Sequence, residues 1–193
     1  MQCVSVTKSV AETLFFVSMI IGICPKFCKF ANMKEKKTNA ARILDREKVA
    51  YELIPYTVDP DNLAADHVAE ELGEPIERVY KTLVLHGDKT GYFVCVIAGN
   101  HEVDLKKAAK ASGNKKAEMI PMKDLLGVTG YIRGGCTSIG MKKHFPTYFS
   151  EEMLDFEYVY VSAGQRGLQL KLNPNDLLRV AQAATADLIA EKE

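Results

Sequence analysis

The chain contains no C-x-x-C pair and no H-x-x-x-H, although five cysteines (Cys3, Cys24, Cys28, Cys95, Cys136) and four histidines (His67, His86, His101, His144) are scattered through its 193 residues. An odd, dispersed set of thiols argues against a disulfide framework or a structural zinc site, and fits a reducing compartment. No sign of charge dominates, with 25 Lys plus Arg against 25 Asp plus Glu. No global field therefore draws the chain onto DNA or a membrane, and any RNA contact has to use a local patch. No apolar run reaches the roughly twenty residues that a membrane span needs. No internal repeat is present, which excludes a solenoid.

Two catalytic signatures are also missing. Gly135 and Gly140 have the spacing of a P-loop, but Met141 takes the lysine position and no Ser or Thr follows Lys142 and Lys143. An NTPase is thereby disfavoured. No Ser-His-Asp set stands out either, and Cys136 has no basic neighbour in sequence to activate it, so it is read as passive.

What is present begins with a leader unlike the rest. Residues 14–24 form a near-apolar run, too short to span a bilayer and flanked by Glu12 instead of a basic cluster. The expectation is a non-native or mis-started leader over residues 1–32 and a single domain over 33–193, starting near Met33; a secretory signal is the alternative. The domain has core enough, since 47% of the chain is hydrophobic.

Periodicity and capping residues predict a helix over 38–48 capped by Thr38, a strand at 51–55, and a helix over 63–72 closed by Gly73. A hairpin of 79–86 with 92–98 follows, then a helix over 104–112 capped by Asp104. Next come a short strand at 116–120, a helix over 121–127, strands at 147–149, 158–162 and 168–172, and a final helix from Asn173 to about Ala183, continuing over 186–190. Strands and helices alternate without regular βαβ repetition, giving a mixed α/β fold.

Three features look site-like. Strand alternation puts Lys81 on the face of Val79, Leu83 and Leu85, where its ammonium either reaches water along its stem or is retained for work with a lowered pKa. Lys106, Lys107 and Lys110, joined by Lys142 and Lys143, form the best phosphate-binding patch in a chain without net charge, although the aromatic interleaving of a single-strand platform is missing. Residues 129–143 hold four glycines and three hydroxyl residues in a predicted loop, a composition suited either to a plain connection or to a concave surface of backbone N–H donors.

The segments Tyr80-Lys81-Thr82-Leu83, Asp104-Leu105-Lys106-Lys107-Ala108-Ala109-Lys110, Thr129-Gly130-Tyr131 with Gly134-Gly135 and Ile139-Gly140, and Tyr160-Val161-Ser162-Ala163-Gly164-Gln165-Arg166-Gly167-Leu168 occur in one order. Together they resemble the YbaK/EbsC family of aminoacyl-tRNA deacylases, similar to the editing domain inserted in bacterial prolyl-tRNA synthetases. The resemblance implies a curled, partly barrel-like mixed β-sheet surrounded by helices. It implies a cytoplasmic trans-editing enzyme that removes cysteine from Cys-tRNA(Pro), or Cys-tRNA(Cys), beside prolyl-tRNA synthetase, with no cofactor or metal. The thiol of the substrate would attack its own ester and leave as a thiolactone.

The same resemblance implies catalytic roles for Lys81 and for the backbone of Gly134, Gly135 and Gly140. It implies substrate contacts from Tyr56, Arg133, Thr137, Ser138 and Ile139, and the five lysines read above as a phosphate patch are the expected tRNA contact. Two departures bear on amino-acid specificity: Thr137-Ser138 stands where the family commonly has Ser-Pro, and Gln169 where many relatives are acidic. The alternatives are a water-mediated deacylase of another mischarged tRNA, such as Ala-tRNA(Pro), and a non-catalytic module that binds tRNA or a synthetase.

Overall fold

The computed structural model describes residues 37–191; the leader over residues 1–32 and the expected start at Met33 lie outside the described residues. Helix α1 (Asn39–Arg46) begins where Thr38 Oγ1 accepts the Ala41 N–H at 3.2 Å, and it buries Ala40, Ala41 and Leu44. This is the ordinary N-cap arrangement for a short helix whose stability comes from its packed face. Strand β1 (Tyr51–Pro55) follows, then α2 (Ala65–Leu72), which ends on Gly73 in the left-handed conformation at φ 67°. The start of α2 differs from expectation. Ala64 occupies the N-cap with no side-chain hydrogen bond, because the Asp59-Pro60-Asp61 turn closes on itself through Asp59 Oδ1 and the Asp61 N–H.

The predicted hairpin is β2 (Tyr80–Gly87) with β3 (Gly91–Ala98), antiparallel from Tyr80↔Ala98 to Gly87↔Gly91. Helix α3 (Leu105–Ala111) is capped by Asp104, which accepts from Lys106 N and Lys107 N. Strand β4 (Ala117–Met119), α4 (Leu125–Thr129), β5 (Thr147–Ser150), β6 (Val159–Ser162), β7 (Leu168–Leu172), α5 (Pro174–Ala181) and β8 (Ala184–Ala186) complete the order. The expected helical continuation over 186–190 is corrected. Gln182 turns left-handed at φ 51°, and the chain then pairs in parallel with β5 as β8. Alanine-rich sequence favours helix locally, but the sheet edge offers ladder bonds, and tertiary pairing overrides propensity.

Two sheets result, one of order β4-β2-β3-β5-β8 and one of order β1-β7-β6. They meet through a parallel bridge between Val79 and Tyr160, so the strands curl toward each other without closing a barrel. The largest core fills the space between them: Val84, Val94, Val96 and Phe149 from the first sheet pack with Val161, Leu170 and Leu172 from the second, with Leu44 of α1 and Leu177 of α5 included. Leu85, Phe93 and Ile97 pack separately with Ala108 of α3.

One topological detail positions the site. β4 is three residues long and pairs only with Leu85, His86 and Gly87 of β2. Between the bond from Ile120 N–H to the Val84 carbonyl and the bridge that sets Tyr160 of β6 beside Val79, no strand pairs with that edge of β2 among the described residues. The Val79 carbonyl and the Val84 carbonyl point to opposite sides, the first to Gly99 of the β3 end and the second to Ile120. Antiparallel alternation therefore turns the backbone groups of Thr82 toward the gap between the Ile120 bond and the β6 bridge.

Candidate active site

A cavity of about 650 Å³ opens along that edge, a size suited to a small-molecule or nucleotide-end ligand. Its walls come from Tyr80–Val84 of β2, the N-terminal end of α2 (Ala64, Ala65, Asp66), Gly99 and Asn100 after β3, and Ser162 and Gln169 of the second sheet. Met119 and Met122 stand at its rim, 45% and 58% exposed.

Lys81 lines this cavity. Its Nζ donates to the Gly99 carbonyl at 2.9 Å. Desolvation lowers its pKa from the ordinary 10.5, opposed by the negative charges of Glu102 and Asp66. One of three ammonium protons is thus spent on orientation. The others face a hollow where water is partly excluded and a cation interacts strongly with a ligand anion or carbonyl.

The same cavity is lined by two buried polar groups paired in register across β6 and β7, Ser162 and Gln169. Ser162 Oγ accepts the Gly164 N–H at 3.3 Å. Gln169 is 5% exposed, and its Oε1 has no hydrogen-bond partner within the protein; Asn100 Oδ1 on the far wall is in the same condition. Buried polar atoms left unpaired cost about 1–3 kcal/mol each, so their presence in one cavity marks it as a place that expects a polar ligand.

The glycine-rich segment divides between two places. Arg133, Gly134 and Cys136 line the cavity with Tyr56 and Lys81. Gly135 does not line it, and its N–H already donates to the Ile132 carbonyl at 3.0 Å. Its role is close packing, because a Cβ there would meet the Gln165 backbone at 3.2 Å. Arg166 ties the same two loops together by donating from Nε to the Arg133 carbonyl at 2.8 Å.

Thr137, Ser138, Ile139 and Gly140 lie away from the cavity. Thr137 is fully buried, Ile139 belongs to the main core, and Ser138 and Gly140 line a second, smaller hollow. Gly140 adopts φ 72°, and a Cβ on it would come within 2.6 Å of Asn39 Nδ2 and 2.7 Å of Ile43 Cδ1. Its carbonyl accepts from Asn39 Nδ2 at 3.1 Å and from the Tyr131 hydroxyl at 3.2 Å. None of the four lines the cavity where the expected catalytic contact of Gly140 and substrate contacts of Thr137, Ser138 and Ile139 would be made, and Gly140 packs against α1.

Cys136 is a pocket thiol whose pKa burial pushes up to about 12, which keeps it neutral and a poor nucleophile. No histidine lines the cavity. Among the described residues, no group of three or more His, Cys, Asp or Glu could hold a metal.

The lysine patch is dispersed. Lys106 and Lys110 are exposed on α3, but Lys107 Nζ is held by Asp187 and the Ile189 carbonyl, each at 3.0 Å. Lys142 Nζ donates to the Leu126 and Gly127 carbonyls at 3.2 and 3.4 Å. None of the five lines the cavity. The sequence reading missed Thr82, Asn100 and Ser162. The signal for Thr82 is the edge left bare by the short β4, which strand periodicity alone does not reveal.

Fold and cavity together define a tRNA-editing type of α/β domain. A crystal structure described as a candidate trans-editing enzyme for prolyl tRNA synthetase superposes with a TM-score of 0.66 at 23% identity, covering 73% of this chain and 87% of that one. The family model described as the aminoacyl-tRNA editing domain matches residues 59–180, and the chain belongs to that family. The Enterococcus faecalis protein EbsC, provisionally named a Cys-tRNA(Pro)/Cys-tRNA(Cys) deacylase, is 49% identical over 158 residues, 82% of this chain and 96% of that protein. A proline–tRNA ligase of Cupriavidus necator is 29% identical over 126 residues, 64% of this chain but 22% of the ligase.

Proposed function

We propose that this protein is a trans-editing deacylase that releases cysteine from Cys-tRNA(Pro), and from Cys-tRNA(Cys) where it meets it, in the cytoplasm and beside prolyl-tRNA synthetase. The observation that carries the reading is the partly desolvated Lys81 ammonium, oriented by Gly99 in a cavity that offers no nucleophile–base pair. Such a site has to work by positioning and electrostatics.

Cysteine supplies its own nucleophile. The substrate sulfur attacks the ester carbonyl carbon, the bond from that carbon to the ribose oxygen breaks, and the thiol proton ends on the ribose hydroxyl. A four-membered thiolactone leaves. Lys81 carries positive charge to the carbonyl or the terminal nucleotide, while backbone N–H groups on the open edge at Thr82 and at Gly134 face the developing oxyanion. Tyr56, Arg133, Ser162 and Gln169 frame the aminoacyl group. Gln169 is a neutral amide, so it binds by hydrogen bonds without attracting a cation by charge.

The test is incubation with cysteinyl-, alanyl- and prolyl-tRNA(Pro), following ester loss and thiolactone release. Cysteinyl ester is expected to disappear and prolyl ester to persist. Loss of alanyl ester, which has no thiol, would show that water is the attacker, and binding without any ester loss would defeat the enzymatic reading.

A further inference from the structure

The second hollow lies on the other side of the glycine-rich segment from the Lys81 cavity and measures about 180 Å³. Its lining includes Arg46 at the end of α1, together with Ser138, Lys143 and His144. No aspartate or glutamate lines it. Ser138 Oγ is buried there with no hydrogen-bond partner in the protein, a donor waiting for an acceptor. Arg46 Nε donates to Glu47 Oε1 at 3.2 Å, which leaves its terminal amino groups for a second oxygen ligand. Its side chain is 73% exposed.

An unpaired buried hydroxyl, a guanidinium and an ammonium around a hollow of this size match a single tetrahedral oxyanion. The hollow is also tied to the cavity by covalent geometry. Cys136 lines one and Ser138 the other, and two residues of chain span at most about 7 Å. We propose that this hollow is a phosphate site, and that it holds a backbone phosphate of the tRNA whose aminoacylated end occupies the Lys81 cavity. The inference rests on the deacylase reading for its ligand. A lone phosphate contact of this kind positions the RNA without reading its sequence.

The experiment compares the parent with Arg46→Ala and Lys143→Ala, singly and together. An uncharged acceptor-stem minihelix is used in equilibrium binding across a salt series, and cysteinyl-tRNA(Pro) and cysteinyl-adenosine in kinetics. The double variant is expected to bind the minihelix on the order of tenfold more weakly, as loss of charge-assisted hydrogen bonds does. Its log–log salt slope should fall by about one, and KM for the charged tRNA should rise while Arg46→Ala cleaves cysteinyl-adenosine at the parental rate.

Unchanged minihelix affinity and salt slope would overturn the phosphate site even if the parent is an active deacylase. A parent that binds the minihelix through Arg46 but cleaves neither ester would instead overturn the deacylase reading and leave the site standing. Phosphate binding that the double variant loses, with minihelix affinity and salt slope the same in parent and variant, would assign the hollow to a free anion and overturn its assignment to RNA.

Discussion

The two halves of the glycine-rich segment have similar composition and opposite duties. Arg133, Gly134 and Cys136 present chain to the cavity, whereas Thr137, Ile139 and Gly140 are spent on packing and on holding α1. Glycine content therefore reports that backbone comes close to something, and the structure decides whether that something is a ligand or another part of the protein. In the first half the approach leaves space. At Gly140 it leaves none toward α1, since a single added carbon there meets Asn39 at 2.6 Å.

Substitutions can sharpen that contrast. Lys81→Ala, on the cavity side, should lower kcat/KM for cysteinyl-tRNA by roughly two to three powers of ten, as loss of one transition-state donor costs about 2.7–4 kcal/mol. Thermal stability should hold, because a desolvated charge is removed with it, so a large drop in Tm would recast Lys81 as structural. Gly140→Val should do the reverse. Strain at positive φ and overpacking against α1 are each worth about 1–3 kcal/mol, which would appear as a lowered melting temperature with kcat intact in the fraction that remains folded. If kcat falls while the melting temperature is unchanged, the division of the segment is wrong.

The pH profile gives a smaller and more specific effect. Lys81 titrates below its ordinary 10.5 because burial disfavours its charged form. A rate that needs the ammonium is therefore full at low pH and declines as pH rises through that lowered value. Stability has the opposite sign: with the folded pKa below the unfolded one, the charged lysine costs stability below the folded pKa, and that cost is relieved as pH rises to the unfolded value. A rise over the same window that Lys81→Ala abolishes would assign the neutral amine, acting as a base, whereas a rise that survives the substitution belongs to the substrate thiol, which ionises at about pH 8.5 when free.

Cys136→Ala should change least in rate. With a pKa of about 12 the thiol is essentially all protonated near neutrality, so substrate turnover should survive, and its abolition would install a protein nucleophile in place of the substrate's own. On the packing side, Thr137→Val removes a buried hydroxyl that has no partner and should be neutral or slightly stabilising in chemical denaturation, since a shape-matched apolar group avoids the desolvation cost.

Much of the architecture was legible in the chain because local rules and tertiary packing agree there. β1 runs over the expected residues, and Thr38, Asp104 and Asn173 cap the helices that they were expected to cap. The placement of Lys81 followed from period-two alternation, the most reliable signal available. What was illegible depends on partners distant in sequence. Nothing near Gly140 announces Asn39 and Ile43 as its neighbours. Nothing near Lys107 announces Asp187, which converts a nominal patch residue into a clasp on the C-terminal segment. Gln169 drew notice only as a departure from the family pattern, and its lack of a partner is visible only when burial is known.

The brevity of β4 has one more consequence. Three residues are enough to finish the hairpin's flank and too few to zip the remainder of β2, so the reactive hollow is a gap in a ladder, made by stopping a strand early. Lengthening that strand past Ile120 would satisfy more main-chain groups, yet it would close the gap in which an incoming ester could borrow them. The boundaries of that gap are set by where hydrogen bonding ends.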